Sequence, residues 1–131
     1  MNQSTPIPPE ILLDAKAGWN RLTATATLGI PRPVIPVILN GRRLVLFRDD
    51  EGTIGLIGRH CPHRGADLCY GRLEKNGLRC PFHGWHFSSS GQCLEQPAEP
   101  EGSQMYKAIR TQVIPVEERD GAIWAYLDRG E

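Results

Sequence analysis

From residue 34 onward the chain alternates short apolar runs with polar, glycine-bearing breaks, a rhythm too brief for helices that predicts β-strands. Strands are expected over 34–39, 43–48 and 53–59, separated by Asn40-Gly41 and by Asp49-Asp50-Glu51-Gly52. An Asn-Gly pair tolerates positive φ at both positions, the requirement of the tight turn that joins antiparallel strands. Further runs at 109–116 and 122–127 flank Asp120-Gly121 and predict another hairpin. Between these, 71–75 and 78–79 are joined by the turn Asn76-Gly77, and 86–88 and 93–95 surround Ser89-Ser90-Gly91. The proline-rich stretch 96–100 reads as an extended connection. The first thirty residues differ: Pro8-Pro9 followed by Glu10 and the run to Lys16 predicts a short helix, with Gly18 as its stop. The pattern divides the chain into an N-terminal extension, 1–33, part helical, and an all-β antiparallel domain, 34–131.

Composition narrows what this domain can do. The 131 residues carry a formal net charge of zero, and lysines and arginines never run beyond a pair. That balance argues against nucleic acid or an anionic membrane as principal partner. No apolar stretch reaches membrane-spanning length and the polar N-terminus is no secretory signal, so the expected compartment is the cytoplasm. One domain of this size buries roughly two-thirds of its unfolded surface. There is no G-x-S-x-G, no Walker-type loop and no G-x-G-x-x-G, so nucleophilic hydrolysis and nucleotide binding lack a motif.

The candidate chemistry lies in two short loops, Cys61-Pro62-His63-Arg64-Gly65 and Cys80-Pro81-Phe82-His83-Gly84-Trp85. Each joins one thiolate donor to one imidazole donor, and sixteen residues separate His63 from Cys80. Pro62 and Pro81 fix φ directly after each cysteine, and Gly65 and Gly84 let backbone N–H groups approach a bound group closely. Four Cys/His ligands suit tetrahedral zinc, but zinc modules usually place like ligands together. Here each loop mixes the types, which suits a binuclear site to which each loop contributes one ligand per metal. Zinc in a structural or interaction module stays as the alternative. Cys69 and Cys93 are read as free thiols with packing roles. His60 and His86 are read as surface or packing residues, and the chain has no histidine beyond these two and the loops.

The loops resemble the ligand signature of the Rieske family, and most of the chain resembles the N-terminal domain of aromatic-ring-hydroxylating oxygenases, the phthalate type especially. The runs 43–48, 61–68, 77–85 and 93–100 carry the likeness, and 123–127 is similar to the end of that domain. The resemblance implies a Rieske-type antiparallel β sandwich with a cluster-binding subdomain, about 59–96, built from two hairpin loops. It implies a [2Fe–2S] cluster with Cys61 and Cys80 on one iron and His63 and His83 on the other. Arg64, Gly65, Gly84 and Trp85 are then the residues beside the cluster, with Trp85 shielding it from water. The implied partners are a flavin-containing or ferredoxin reductase and an oxygenase catalytic domain or subunit. The chain lacks the histidines for a mononuclear iron site of its own, so the implied role is an electron-transfer domain, with a free-standing Rieske ferredoxin as the alternative. Respiratory Rieske proteins carry extra cysteines and a serine where this chain has Ala66, Phe82 and Trp85, so the expected potential lies in the lower part of the range of roughly −150 to +300 mV. Arg59, Arg64, Arg72, Lys75 and Arg79 form either a docking face for an acidic partner or a solvated basic edge balanced by carboxylates.

Overall fold

A computed structural model describes residues 8–60, 67–80, 86–91, 93–95 and 112–128. Among them are strands β1 (Ile11–Leu13), β2 (Gly18–Ala24), β3 (Val34–Leu39), β4 (Arg42–Arg48), β5 (Ile54–Gly58), β6 (Arg72–Glu74), β7 (Gly77–Arg79), β8 (His86–Phe87), β9 (Cys93–Glu95), β10 (Val116–Arg119) and β11 (Ala122–Leu127). Two single 3-10 turns, Thr25–Leu28 and Leu68–Tyr70, are the helical elements of the described residues. The strands form three sheets, ordered β1-β3-β4-β5, β10-β11-β2 and β6-β7-β8-β9. The fold is the all-β one expected from the hairpin rhythm.

The turns form where the sequence can take positive φ. Asn40 and Gly41 sit at φ 50° and 82°, and Asp120 and Gly121 at 53° and 74°, so both β3–β4 and β10–β11 close as tight hairpins. Asn76 at φ 67° turns β6 into β7. Gly77 follows at φ 132°, and a Cβ there would meet the Phe87 carbonyl oxygen at 1.9 Å, so only glycine fits against β8.

The sheet containing β3, β4 and β5 is a shared wall between two cores. Its strands are apolar on both faces, as buried central strands are. Ile35, Val37, Leu39, Leu44, Leu46 and Leu56 pack with Leu22, Ile114, Ile123, Ala125 and Leu127 to fill the sandwich core against β2 and β11. The intervening Val34, Val45, Phe47 and Ile57 face the other way and pack with Leu68, Cys69, Leu78, Cys80 and Phe87. This second core joins the wall to the small β6–β9 sheet. Gly55 makes the approach close: a Cβ there would lie 2.7 Å from the Phe47 ring and 2.8 Å from Ser89.

The structure corrects three expectations. The stretch read as a helix after Pro9 is β1, which pairs in parallel with β3 through Ile11↔Val37 and Leu13↔Leu39. Its pattern has period two: Ile11 and Leu13 pack on the sandwich core while Leu12 is 72% exposed. Asn40 clasps this segment, its side chain accepting from Ala15 N at 2.8 Å and donating to Ala15 O at 3.1 Å. The chain does not divide at residue 33 into extension and domain, because β2 pairs along the whole of β11 and contributes Leu22 to the core. The strand expected over 109–116 is split in its described part. Gly58 N donates to Gln112 O and Ile114 N to Leu56 O along the edge of β5. Pro115 then turns the chain to the other sheet, its carbonyl accepting from Tyr126 N before β10 begins at Val116. The connection expected over 96–100 lies outside the described residues.

Candidate metal centre

Both ligand loops are closed at the base by antiparallel pairing. His60 pairs with Asp67 across the first and Arg79 with His86 across the second. Six residues, 61–66 and 80–85, lie between the paired positions in each case. The two loops are thus of equal length. The loops themselves are largely beyond the description: Cys61, His63, Arg64, Gly65, His83, Gly84 and Trp85 lie outside the described residues. Cys80, the described member of the predicted ligand set, follows directly from β7. It is a free cysteine, 4% exposed, seated in the core between wall and small sheet.

A charged clamp fixes the first base. Arg59 donates from Nε to both carboxylate oxygens of Asp67 at 3.0 Å and from Nη2 to Oδ2 at 2.8 Å, and Nη1 reaches Glu10 at 3.1 Å. Asp67 Oδ1 also accepts from Cys69 N at 2.9 Å, capping the 3-10 turn that follows. Burial works to raise the Asp67 carboxyl, but the bonds from Arg59 and Cys69 N outweigh it and the net shift is downward. Arg59 is raised in turn, chiefly by its bonds to Asp67.

The second base has its own clamp. Arg79 donates from Nε and Nη2 to Glu74 at 3.0 and 2.9 Å, and Arg72 Nε adds a bond at 2.8 Å. The bonds from Arg79 first, then Arg72, hold Glu74 down at about 2. Of the five cations read as a basic face, Arg59, Arg72 and Arg79 are therefore paired with Asp67, Glu10 and Glu74, and Lys75 is exposed.

Further residues complete the surroundings. Cys69 is buried, and loss of solvation, with Asp67 adding, pushes its thiol up to about 12, so it is a protonated packing residue. The side chain of Cys93 is outside the description. His60 is exposed and His86 is buried, matching the surface and packing roles expected of them. The sequence reading missed Arg32, whose Nη2 donates to the carbonyls of Cys69 and Gly71 at 2.6 and 2.5 Å. Burial lowers the Arg32 pKa, with the nearby Cys69 opposing. Its only signal is its place between Pro31 and Pro33, a rigid point just before a buried strand.

Among the described residues no three metal-ligating side chains converge, since three of the four predicted donors lie beyond them. What is described fits a cluster. A free cysteine is presented at a strand end from an apolar core, at the base of one of two loops of equal length whose sequences each carry one soft and one borderline donor. The Rieske [2Fe-2S] domain family matches residues 18–128. The chain belongs to the Rieske family. A Rieske-type [2Fe–2S] cluster is accordingly its cofactor, and the zinc alternative falls.

Among the relatives of this Rieske domain, the alpha subunit of phenoxybenzoate dioxygenase from Ectopseudomonas oleovorans is 50% identical over 109 residues, covering 83% of this chain and 26% of that one. The oxygenase subunit of phthalate 4,5-dioxygenase from Pseudomonas putida is 40% identical over 89 residues, covering 68% of this chain and 20% of the relative. A crystal structure of dicamba monooxygenase with non-heme iron and dicamba superposes with a TM-score of 0.71 at 29% identity, over 84% of this chain and 32% of that one. The Rieske domain described here thus spans about a quarter of the length of the first of these relatives. The resemblance to phthalate-type ring-hydroxylating oxygenases read from the loops holds.

Proposed function

We propose that this domain carries single electrons from a flavin-containing or ferredoxin reductase to the mononuclear iron of an oxygenase that acts on aromatic compounds. The observation that carries the reading is the family match across both loops, together with Cys80, a free cysteine buried at a loop base. Cys61 and Cys80 would hold one iron of a bound cluster through thiolates and His63 and His83 the other through neutral imidazoles, and the group so held would supply one-electron transfer. The apolar core around Cys80 keeps water from the thiolate side, and the paired bases keep both loops in register. The names of the relatives support the aromatic assignment, since phenoxybenzoate and phthalate are aromatic carboxylates. The cytoplasm is the compartment we infer for such a system.

The test is electron paramagnetic resonance on anaerobically purified, reduced protein, with iron and acid-labile sulfide measured on the same sample. A rhombic signal of low average g, with two irons and two sulfides per chain, is the expected result. Cys80→Ser and His83→Cys should abolish or transform that signal. A silent sample, or one whose signal survives both substitutions, refutes the ligand assignment.

A further inference from the structure

The two ligand loops belong to different hairpins, and a binuclear site drawing one cysteine and one histidine from each depends on how the loops face one another. Between them the chain runs over 67–79, through the β6–β7 hairpin, and the part that spans the two loop bases is residues 67–71. It begins at Asp67, on the closed base of the first loop, and runs through the 3-10 turn, with Tyr70 N donating to Asp67 O and Gly71 N to Leu68 O. It ends at Gly71, which lies flat on the base of the second loop. A Cβ at Gly71 would sit 2.5 Å from the carbonyl oxygen of Arg79, the residue before Cys80. The segment is therefore a spacer of fixed length between the two bases.

Arg32 grips this spacer from outside it. Its Nη2 donates both hydrogens, one to Cys69 O and one to Gly71 O, filling carbonyls at the end of the 3-10 turn. Arg32 is itself anchored to the wall: Val34 N donates to Arg32 O at 2.8 Å, and Arg48 N in β4 donates to Pro33 O at 3.1 Å. Its partners lie 37 and 39 residues away in sequence, so this is a tertiary strut and not a local turn contact.

We propose that Arg32 is a positioning residue for the cluster: by tying the spacer 67–71 to the sandwich wall, it sets the disposition of the two ligand loops. The inference rests on the Rieske reading above. It predicts that loss of the strut loosens the cluster site more than it loosens the domain.

The experiment uses the cluster-loaded chain and compares wild type with Arg32→Met, which keeps bulk and removes the donors, and Arg32→Lys, which keeps charge and a donor. Arg48→Met is the control, since Arg48 also donates to a backbone carbonyl, that of Gly52, and pairs with a carboxylate, that of Glu118. The readouts are the rate of visible bleaching by an iron chelator, the g values of the reduced protein, the reduction potential, and the thermal unfolding midpoint. Arg32→Met is expected to lose its cluster about 10- to 100-fold faster than wild type, taking as guide the loss of metal affinity of about that size when groups supporting metal ligands are removed. Its g values and potential should shift, Arg32→Lys should recover part of the difference, and Arg48→Met should bleach at the wild-type rate. Unchanged bleaching and g values in Arg32→Met overturn the proposal. So does equal acceleration in Arg48→Met at the same unfolding midpoint, which would reduce the role to general stability. If Arg32→Met does not fold, Arg32→Lys decides: wild-type g values, potential and bleaching rate overturn the proposal, and an intermediate shift supports it. A wild-type chain that takes up no cluster refutes the Rieske reading, a result distinct from these.

Discussion

Two leucines offer a matched test of whether the two cores are energetically separate. Leu39 in β3 and Leu78 in β7 are both 0% exposed, but Leu39 belongs to the sandwich core and Leu78 to the core beneath the ligand loops. Truncating either to alanine removes the same atoms, and such changes at buried sites cost about 2–5 kcal/mol, so about 3 kcal/mol is expected for each. A domain of this length then melts lower by about 10 °C, and with stability in the usual range of about 5–15 kcal/mol both variants stay folded. Their cluster chemistry should differ. If cluster loss proceeds through local opening of the β6–β9 sheet, Leu78→Ala lowers the cost of that opening by its full ΔΔG and accelerates loss up to about 100-fold, since each 1.36 kcal/mol is a factor of ten. Leu39→Ala leaves that opening untouched and should release the cluster at the wild-type rate. Chelator-driven bleaching of the loaded protein at 25 °C, beside urea melts of both variants, measures the two quantities. Equal acceleration at equal loss of stability would refute the separation, because it would mean that the cluster is released only by unfolding of the whole domain.

Acid should release the second clamp through Glu74. Its carboxyl is held at about 2 against an ordinary 4.5, chiefly by Arg79, so the stabilisation is complete above about pH 4.5 and fades as pH falls toward 2. With its side chain 22% exposed, the pair is worth about 1 kcal/mol, and Glu74→Gln should flatten that part of the stability profile in acid melts. Gly77→Ala should fail to fold or melt far below wild type, as a methyl group would overlap the Phe87 carbonyl and positive φ alone costs about 1–3 kcal/mol; wild-type melting would contradict the close approach. Cys69, pushed up to about 12 and buried, should resist alkylation of the loaded protein at pH 8, and mass spectrometry showing rapid labelling would contradict its packing role.

The parts of this fold legible in the sequence are those encoded by neighbouring residues. Asn40-Gly41, Asn76-Gly77 and Asp120-Gly121 each state a positive-φ turn in two residues, and β3, β4 and β11 follow from the runs beside them. β1 was misread as helix because its pairing partner is β3, joined in parallel from another part of the chain, and no local pattern in three residues records that. The split at Pro115 was missed for the same reason, since only the placement of β5 and β11 reveals which sheet each half joins. Cys61, His63, Cys80 and His83, the ligands we propose, stand out in the sequence because metal chemistry selects side-chain types. Arg32 does not, because what it binds are backbone carbonyls, which every residue has.

The shared wall also acts as a reading frame in space. Val45 and Leu46 are adjacent, yet one serves the core under the cluster and the other the sandwich. A single residue inserted within β3, β4 or β5 would invert that assignment for everything downstream on the strand, sending large sandwich side chains toward the loops and the reverse. Both compartments would be mispacked by one event. Insertions and deletions should therefore survive at the Asp49–Thr53 break and be eliminated inside these strands, so a library of single-residue indels would draw the outline of the wall without reference to any cluster assay.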